Sequence, residues 1–234
     1  MASNPTIIDG YIPGQPCHYT GSDPNAQYNT ELDDIKNAVK AMRADSRCNG
    51  WVGILGASAG ATLAIAATLD TTPSGGTGAP WPHWFQSGHD DRPQCAVMLS
   101  AIYDFADCTP PEGQTETDHV FIHAVHNLTR TLNFNTWGTL QINPVNLVPG
   151  AVAHGWRPIY MFNSFGDHPT AYHQLNTMVC LLQSEGLTLN SDYRYLTIPG
   201  EQHATEYWNA WDHQTPNTIG EDAIAFFKAQ AGLP

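Results

Sequence analysis

Short apolar segments alternate with amphipathic segments along most of the chain. Four apolar runs, bounded by glycine, proline or polar clusters, are typical of buried strands; they are Trp51–Leu55, Gln94–Ser100, Pro158–Ser164 and Tyr193–Ile198. Apolar residues at helical spacing predict helices over Thr30–Ala44, Thr62–Leu69, Thr170–Glu185 and Ile219–Ala231. Strands that alternate with helices predict an α/β fold, in which a mostly parallel sheet has helices on both faces.

Two of these helices have a recognisable start. Thr30 and Asp33 predict a capping-type beginning for the first helix, and Thr218 with Glu221 has the spacing of a capping box before the last one. The chain contains no internal repeat and no linker. We therefore predict a single domain over residues 1–234, with residues 104–157 as an insertion in which helical patterns are broken.

The segment Gly56-Ala57-Ser58-Ala59-Gly60 lies where a predicted strand turns directly into a helix. Such a turn holds its serine in a strained conformation with the hydroxyl exposed, which favours Ser58 as a nucleophile. We expect glycine at both 56 and 60 because a Cβ there would collide with the neighbouring strand or helix. The new helix also directs the Ala59 N–H towards charge that develops on a substrate. The alternative is an ordinary glycine-rich turn with an idle serine.

Two further candidates follow predicted strands. Asp167 comes after the third strand and His203 follows the fourth, in a loop that we expect to be flexible enough to carry the imidazole over the sheet. Because the carboxyl ends of parallel strands share one edge of the sheet, these side chains are predicted to meet Ser58. His203 would then take the serine proton as general base, and Asp167 would fix the imidazole tautomer.

Each assignment has an alternative. Asp167 is also a suitable turn or N-cap residue before the next helix, and Asp104, after the second strand, is the second candidate for the acid. His203 is also compatible with an exposed loop position. His168 and His173 are competing candidates for the base.

These motifs together resemble the alpha/beta-hydrolase superfamily, on its carboxylesterase and lipase side. The resemblance runs from about Tyr19 to the C-terminus; it rests on Asp-Asp-Ile-Lys-Asn-Ala-Val before the turn, Gly-Ala-Ser-Ala-Gly-Ala, Leu-Ser-Ala-Ile-Tyr-Asp, Ser-Phe-Gly-Asp and Pro-Gly-Glu-Gln-His. It implies a serine carboxylesterase that hydrolyses small to medium acyl or aryl esters without a cofactor. It further implies Ser58, Asp167 and His203 as the triad, and residues 104–157 as a cap over the acyl pocket.

The chain departs from this family before the turn. Members usually carry several strands and a His-Gly-Gly-Gly-like oxyanion loop there, whereas no His-Gly or Gly-Gly pair occurs in residues 1–49. We therefore expect an N-terminally shortened hydrolase fold that lacks some strands. Ala59 would supply one oxyanion donor, and the second would be missing or come from Gly14 or Gln15. A weakly active or non-catalytic binding protein is the alternative function.

Composition narrows the class of partner. A formal net charge of −13 argues against nucleic acid or an anionic membrane. No apolar run reaches membrane-spanning length and the N-terminus has no signal-peptide pattern, so we expect a cytoplasmic protein. Cys95 and Cys180, in apolar runs, are predicted to be buried.

Two other groups of residues suggest ligand contacts. Trp81, Trp84, Tyr103 and Trp137 are predicted to bind the substrate, with core packing as the alternative. Asp118, His119, His123 and His126 would share a helix face, but no glutamate lies between the histidines as a general base. We therefore predict no metal site and interpret this face as a polar surface of the cap.

Assembly is the last expectation. If the first strands are absent, a strand near Thr6–Tyr11 would lie at an open edge of the sheet. We therefore predict a homodimer with residues 1–30 at or near its interface. The alternative is a monomer in which this segment covers the edge itself.

Overall fold

In the part of the chain that the structure describes, the sheet consists of four parallel strands in the order β1-β2-β3-β4. The computed structural model describes residues 28–72, 90–105, 107 and 143–234, and the fold is given for these residues. The strands are β1 (Gly53–Ala57), β2 (Cys95–Leu99), β3 (Ile159–Ser164) and β4 (Tyr193–Ile198). The predicted strands and their parallel arrangement are thus confirmed, and their carboxyl ends lie at one edge of the sheet.

Helices cover both faces of this sheet. They are α1 (Tyr28–Ala44), α2 (Ala59–Leu69), α3 (Pro144–Ala153), α4 (Tyr172–Ser184) and α5 (Ile219–Gln230). On one face α2, α3 and α4 pack through residues such as Ile65, Val148 and Met178. On the other face α5 packs through Phe226. Helix α1 packs against α2. Both central strands are therefore buried on both faces, which explains their nearly continuous apolar sequences.

The helix starts agree with the sequence only in part. The capping box before α5 is present, because Thr218 accepts a hydrogen bond from the Glu221 N–H and Glu221 accepts one from the Thr218 N–H. The predicted start at Thr30 is wrong, since α1 already begins at Tyr28. Helix α2 begins at Ala59, directly after Ser58, so the turn between strand and helix is tighter than the apolar pattern indicates.

Helix α3 lies inside the segment that was predicted as a cap with broken helical patterns. Pro144 stands in its first turn, where a missing N–H costs nothing, but Pro149 and Gly150 interrupt its sequence pattern. Val148 and Ala151 are buried in the core against α2, and this packing outweighs the weak local propensity. This part of the segment belongs to the main core, while residues 108–142 of the predicted cap lie outside the described residues.

The two cysteines that the sequence predicts to be buried differ in their exposure. Cys95 lies within β2, and its burial raises the pKa of the thiol to about 12. Cys180 is exposed, so its prediction is wrong. The buried stripe of α4 is set by Leu175, Met178 and Val179, and Cys180 lies one residue further round the helix.

Several predictions concern residues outside the described part of the chain. These are the strand near Thr6–Tyr11, the metal candidates Asp118, His119, His123 and His126, and the oxyanion candidates Gly14 and Gln15. Within the described ranges, no three side chains of the His, Cys, Asp and Glu types are grouped to hold a metal ion. None of the helices described is both long and apolar enough to cross a lipid bilayer.

Candidate active site

The turn between β1 and α2 is held by its backbone. Ser58 has φ 54° and ψ −123°, a conformation that side-chain-bearing residues rarely adopt, and its N–H donates to the Leu99 carbonyl of β2 at 2.8 Å. A Cβ built on Gly56 would lie 2.2 Å from the Gly60 carbonyl oxygen, so glycine is required there. The same expectation for Gly60 is wrong, because a Cβ at that position meets no other described atom within 4 Å.

Ser58, His203 and Asp167 form one chain of hydrogen bonds. The Ser58 Oγ lies 2.8 Å from His203 Nε2. On the other side of the ring, His203 Nδ1 lies 2.9 and 3.1 Å from the two carboxylate oxygens of Asp167. The Asp167 side chain is fully buried, whereas that of His203 is 22% exposed. The three residues follow β1, β4 and β3, so the carboxyl edge of the sheet brings them together.

Asp167 also makes a local contact. Its Oδ1 accepts a hydrogen bond from the Thr170 N–H at 2.9 Å, as expected of a turn residue. The N-cap position of α4 is, however, occupied by Ala171. The carboxylate thus organises the turn after β3 and contacts the imidazole at the same time. An acid that is held by a backbone N–H in this way presents a fixed oxygen to the histidine.

The competing residues have other partners. Asp104 Oδ1 accepts a hydrogen bond from Asn143 Nδ2 at 2.7 Å. His168 Nε2 lies 3.9 Å from Glu201, and His173 Nε2 lies 3.2 Å from Asp107. The structure therefore places His203 against Ser58 and Asp167, and it gives Asp104, His168 and His173 contacts elsewhere.

The loop that carries His203, residues 199–207, ends in a short 3₁₀ turn over Ala204–Tyr207. The sequence predicts a flexible loop here, but side chains form hydrogen bonds with its backbone at three successive residues. Ser164 Oγ donates to the Gln202 carbonyl at 2.5 Å. Glu206 Oε2 accepts from the His203 N–H at 2.9 Å, and Ser100 Oγ accepts from the Ala204 N–H at 2.9 Å.

Sequence reasoning did not identify Ser100 and Ser164. Ser164 is the last residue of β3 and Ser100 directly follows β2, and both are fully buried. A buried polar group requires a hydrogen-bond partner, so a serine at the carboxyl end of a buried strand is a usable signal. The partner itself cannot be read from the sequence, because Ser100 and Ala204 are 104 residues apart.

The remaining predicted site residues are the oxyanion donor Ala59 and the four substrate-binding aromatic residues. Ala59 is the first residue of α2, and an N–H in the first turn of a helix has no acceptor within that helix. Tyr103 is buried in the core cluster of α2, α3 and α4, so the alternative of a core aromatic describes its position. Burial also raises the pKa of its hydroxyl well above the usual range. Trp81, Trp84 and Trp137 lie outside the described residues.

Comparison with known proteins extends this picture. A scan against protein-family models gave no match, and a search of curated proteins gave none either. Among solved structures, the chain is similar to an acetyl ester-xyloside bifunctional hydrolase from Caldicellulosiruptor lactoaceticus, with 14% identity and a TM-score of 0.63. That match covers 92% of this chain and 69% of the hydrolase.

Two further solved structures share the same architecture. Thermogutta terrifontis esterase 2 in its apo form has 14% identity and a TM-score of 0.59, over 91% of this chain and 69% of the esterase. A truncated carbohydrate esterase from gut microbiota has 17% identity and a TM-score of 0.59, over 88% of this chain and 70% of that protein. At these identities the likeness concerns the fold. The chain has an alpha/beta-hydrolase-like fold of the kind found in these esterases.

Proposed function

We propose that this protein is a serine carboxylesterase that hydrolyses small to medium acyl or aryl esters through an acyl-enzyme on Ser58. The observation that carries the proposal is the continuous hydrogen-bond chain from Ser58 Oγ through His203 to the buried carboxylate of Asp167. A nucleophile in contact with a base, and a base in contact with an orienting acid, is the arrangement that acyl transfer requires. The fold shared with esterases supports the same conclusion.

In the first half of the reaction, Ser58 Oγ attacks the ester carbonyl carbon while His203 Nε2 takes the serine proton. The carbonyl oxygen becomes an oxyanion, and the Ala59 N–H at the beginning of α2 donates to it. Asp167 accepts the Nδ1–H of His203, which fixes the tautomer and stabilises the imidazolium. The tetrahedral intermediate then collapses, and the alcohol leaves with the proton from His203.

In the second half, water takes the place of the alcohol. His203 removes a proton from the water, whose oxygen attacks the acyl carbonyl carbon, and a second tetrahedral intermediate forms. When it collapses, the acid is released and the proton on His203 returns to Ser58 Oγ. Each proton transfer thus uses the same imidazole nitrogen, Nε2, while Asp167 binds the other. The overall reaction adds water across the ester bond.

The names of the similar structures support short acyl groups. The Thermogutta terrifontis esterase 2 structures include forms with bound propionate and butyrate. Forms of that esterase modified by the organophosphorus agents tabun and sarin support the use of a phosphonate probe on this chain. Two of the similar proteins are named for carbohydrate esters, so acetylated sugars belong in the substrate panel.

The proposal is tested by hydrolysis of p-nitrophenyl acetate and butyrate by the wild type and by Ser58→Ala. We expect the variant to lose nearly all activity, since loss of the nucleophile typically costs about 10⁶-fold in kcat. Equal rates for the two proteins would contradict the assignment. A fluorophosphonate probe should add one adduct on Ser58, and an intact mass without adduct would favour a non-catalytic binding protein.

A further inference from the structure

The carboxyl end of β2 contacts both the nucleophile and the loop that carries the base. The Leu99 carbonyl accepts the Ser58 N–H at 2.8 Å, and the next residue, Ser100, accepts the Ala204 N–H on its Oγ at 2.9 Å. Two consecutive residues thus connect Ser58 with the backbone next to His203. If the Ser58 backbone shifts relative to the backbone next to His203, at least one of these two hydrogen bonds must be distorted.

The Ser100 hydroxyl belongs to a buried chain of hydrogen bonds with a defined direction. Tyr207 Oη donates to the Phe162 carbonyl at 3.2 Å, and Ser100 Oγ lies 2.9 Å from the same Tyr207 oxygen. Because the tyrosine proton points to Phe162, the serine proton points to Tyr207, and the Ser100 lone pairs remain for Ala204. Burial raises the pKa of the Tyr207 hydroxyl above its usual range, so that this proton stays in place.

Ala204 requires such an anchor. It has φ 53° and Ser100 has φ 59°, in the left-handed region that residues with a Cβ rarely adopt. The strained Ala204 immediately follows His203. Its N–H donates a hydrogen bond to Ser100, which lies 104 residues earlier in the chain. Without this bond, the loop could relax towards an ordinary backbone conformation and carry the imidazole with it.

Ser164 acts on the other side of the histidine. Its Oγ donates to the Gln202 carbonyl at 2.5 Å, and its own carbonyl accepts the Asp167 N–H at 3.4 Å. The peptide groups before and after His203 are therefore bonded to serines at the ends of β3 and β2. The imidazole itself is partly exposed, so its position relative to Ser58 depends on this backbone more than on packing.

We infer that Ser100 and Ser164 are positioning residues that hold His203 against Ser58, the first through the Ala204 N–H and the second through the Gln202 carbonyl. This inference rests on the proposed function. A misplacement of about 1 Å in a catalytic group can cost on the order of a hundredfold in rate. Loss of either serine hydroxyl should therefore lower kcat more than it changes KM.

The test compares Ser100→Gly and Ser100→Ala. Both substitutions remove the hydroxyl, but only glycine adopts φ 59° without strain. If backbone strain alone caused the loss of activity in Ser100→Ala, the activity would be restored in Ser100→Gly. We expect kcat for p-nitrophenyl butyrate to fall about 10- to 100-fold in both variants, with KM within about twofold. The rate of fluorophosphonate labelling at Ser58 should fall by the same factor, and Ser164→Ala should show the same pattern.

Thr68→Val is the matched control. Its buried hydroxyl donates to the Ala64 carbonyl at 2.7 Å near the end of α2, so the variant loses one buried hydrogen bond where Ser100→Gly loses two. We expect its activity to equal that of the wild type, although its unfolding midpoint falls. If Ser100→Gly behaved like Thr68→Val, with normal kcat and a lower midpoint, Ser100 would be structural only and the inference would be overturned.

A measurement without substrate separates this inference from the proposed function. The bond between His203 Nδ1 and Asp167 should give a low-field imidazole N–H resonance in the proton NMR spectrum, absent in Asp167→Ala. We expect that resonance to broaden or vanish in Ser100→Gly and to persist in Thr68→Val. If the wild type hydrolysed no ester but this pattern held, the proposed function would fail while the positioning role stood. An unchanged resonance in Ser100→Gly would overturn that role.

Discussion

The two halves of the candidate site are held in place by different kinds of interaction. Ser58 is fixed by main-chain geometry, with a positive φ, a glycine at 56 that leaves room for Gly60, and a backbone bond to β2. The backbone of the His203 loop is instead fixed by hydrogen bonds with three side chains: it donates to Ser100 and Glu206 and accepts from Ser164. Apart from its bond to β2, the turn is formed by neighbouring residues, whereas Ser100 and Ser164 contact the loop from distant parts of the chain.

This difference has a consequence for substitutions. A backbone clash inside the turn cannot be relieved by a side-chain rotation, so changes there should affect folding itself. A lost hydrogen bond in the loop costs about 1 kcal/mol and leaves the fold intact, so changes there should appear mainly in the rate. Substitutions in the turn should therefore either leave the protein folded or prevent folding, whereas substitutions in the loop should lower the rate by degrees.

The largest effect is expected at Gly56. In Gly56→Ala, the added Cβ would lie 2.2 Å from the Gly60 carbonyl oxygen and 2.7 Å from the Ala61 Cα, and both are main-chain atoms. We expect an insoluble protein, or a loss of about 3 kcal/mol or more in the free energy of unfolding. Gly60→Ala is the matched control and should change that free energy by no more than about 1 kcal/mol. Urea denaturation measures both, and a stable Gly56→Ala would contradict this expectation for the turn.

Asp167→Asn should have the next largest effect. The amide keeps the shape of the carboxylate but favours the wrong imidazole tautomer, so kcat should fall on the order of 10³- to 10⁴-fold while the protein stays folded. Asp104→Asn is the control, because Asp104 is the second candidate for the acid and contacts Asn143. Steady-state kinetics and circular dichroism check both variants. A deeper loss of kcat in Asp104→Asn would assign the acid to Asp104.

The same contrast explains what the sequence predicts. The strands and Ser58 are encoded in contiguous residues, so an apolar run followed by Gly-Ala-Ser-Ala-Gly is sufficient to locate them. His203 and Asp167 could be named because polar residues after parallel strands must share one edge of the sheet. The partners of Ser100 and Ser164 depend on tertiary contacts, and the sequence around them resembles ordinary strand ends.

Packing accounts for the remaining differences. Gly60 was expected to be required, but the collision at this turn involves the missing Cβ of Gly56 and the main chain of Gly60. The sequence does not predict α3, because Pro149 and Gly150 weaken its local signal, while burial of Val148 and Ala151 stabilises the helix. Both cases depend on distances between elements, which the pattern along one chain does not contain.

Two glutamates provide a smaller and well-matched comparison. Glu206 accepts the N–H of His203, and Glu221 accepts the N–H of Thr218 at the beginning of α5. Glu206→Ala and Glu221→Ala should each lower the free energy of unfolding by about 0.5–1 kcal/mol. Only Glu206→Ala should also lower kcat, on the order of threefold, because it alone frees the backbone of His203. Equal activity in the two variants would show that Glu206 serves stability alone.

The smallest effect on activity is expected at the two sides of the sheet, where the predicted homodimer can be tested. Among the described strands, β1 lies at the edge next to Ser58 and β4 at the opposite edge. Leu55 of β1 is 41% exposed, and Leu189, which bridges to the beginning of β4, is 43% exposed. The dimer stays a prediction, and its interface can be sought at Leu55 on the β1 side and at Leu189 on the β4 side.

If the β1 side forms the interface, Leu55→Arg should dissociate the dimer, because an arginine in the contact loses its hydration without gaining a partner. Leu189→Arg, with the same change on the opposite side, should leave the dimer intact, and both should keep wild-type kcat. Light scattering during size exclusion decides between them, since the monomer mass is 25.6 kDa. A wild-type mass near that value across micromolar concentrations would contradict the dimer. Dissociation by Leu189→Arg alone would place the interface on the β4 side of the sheet instead.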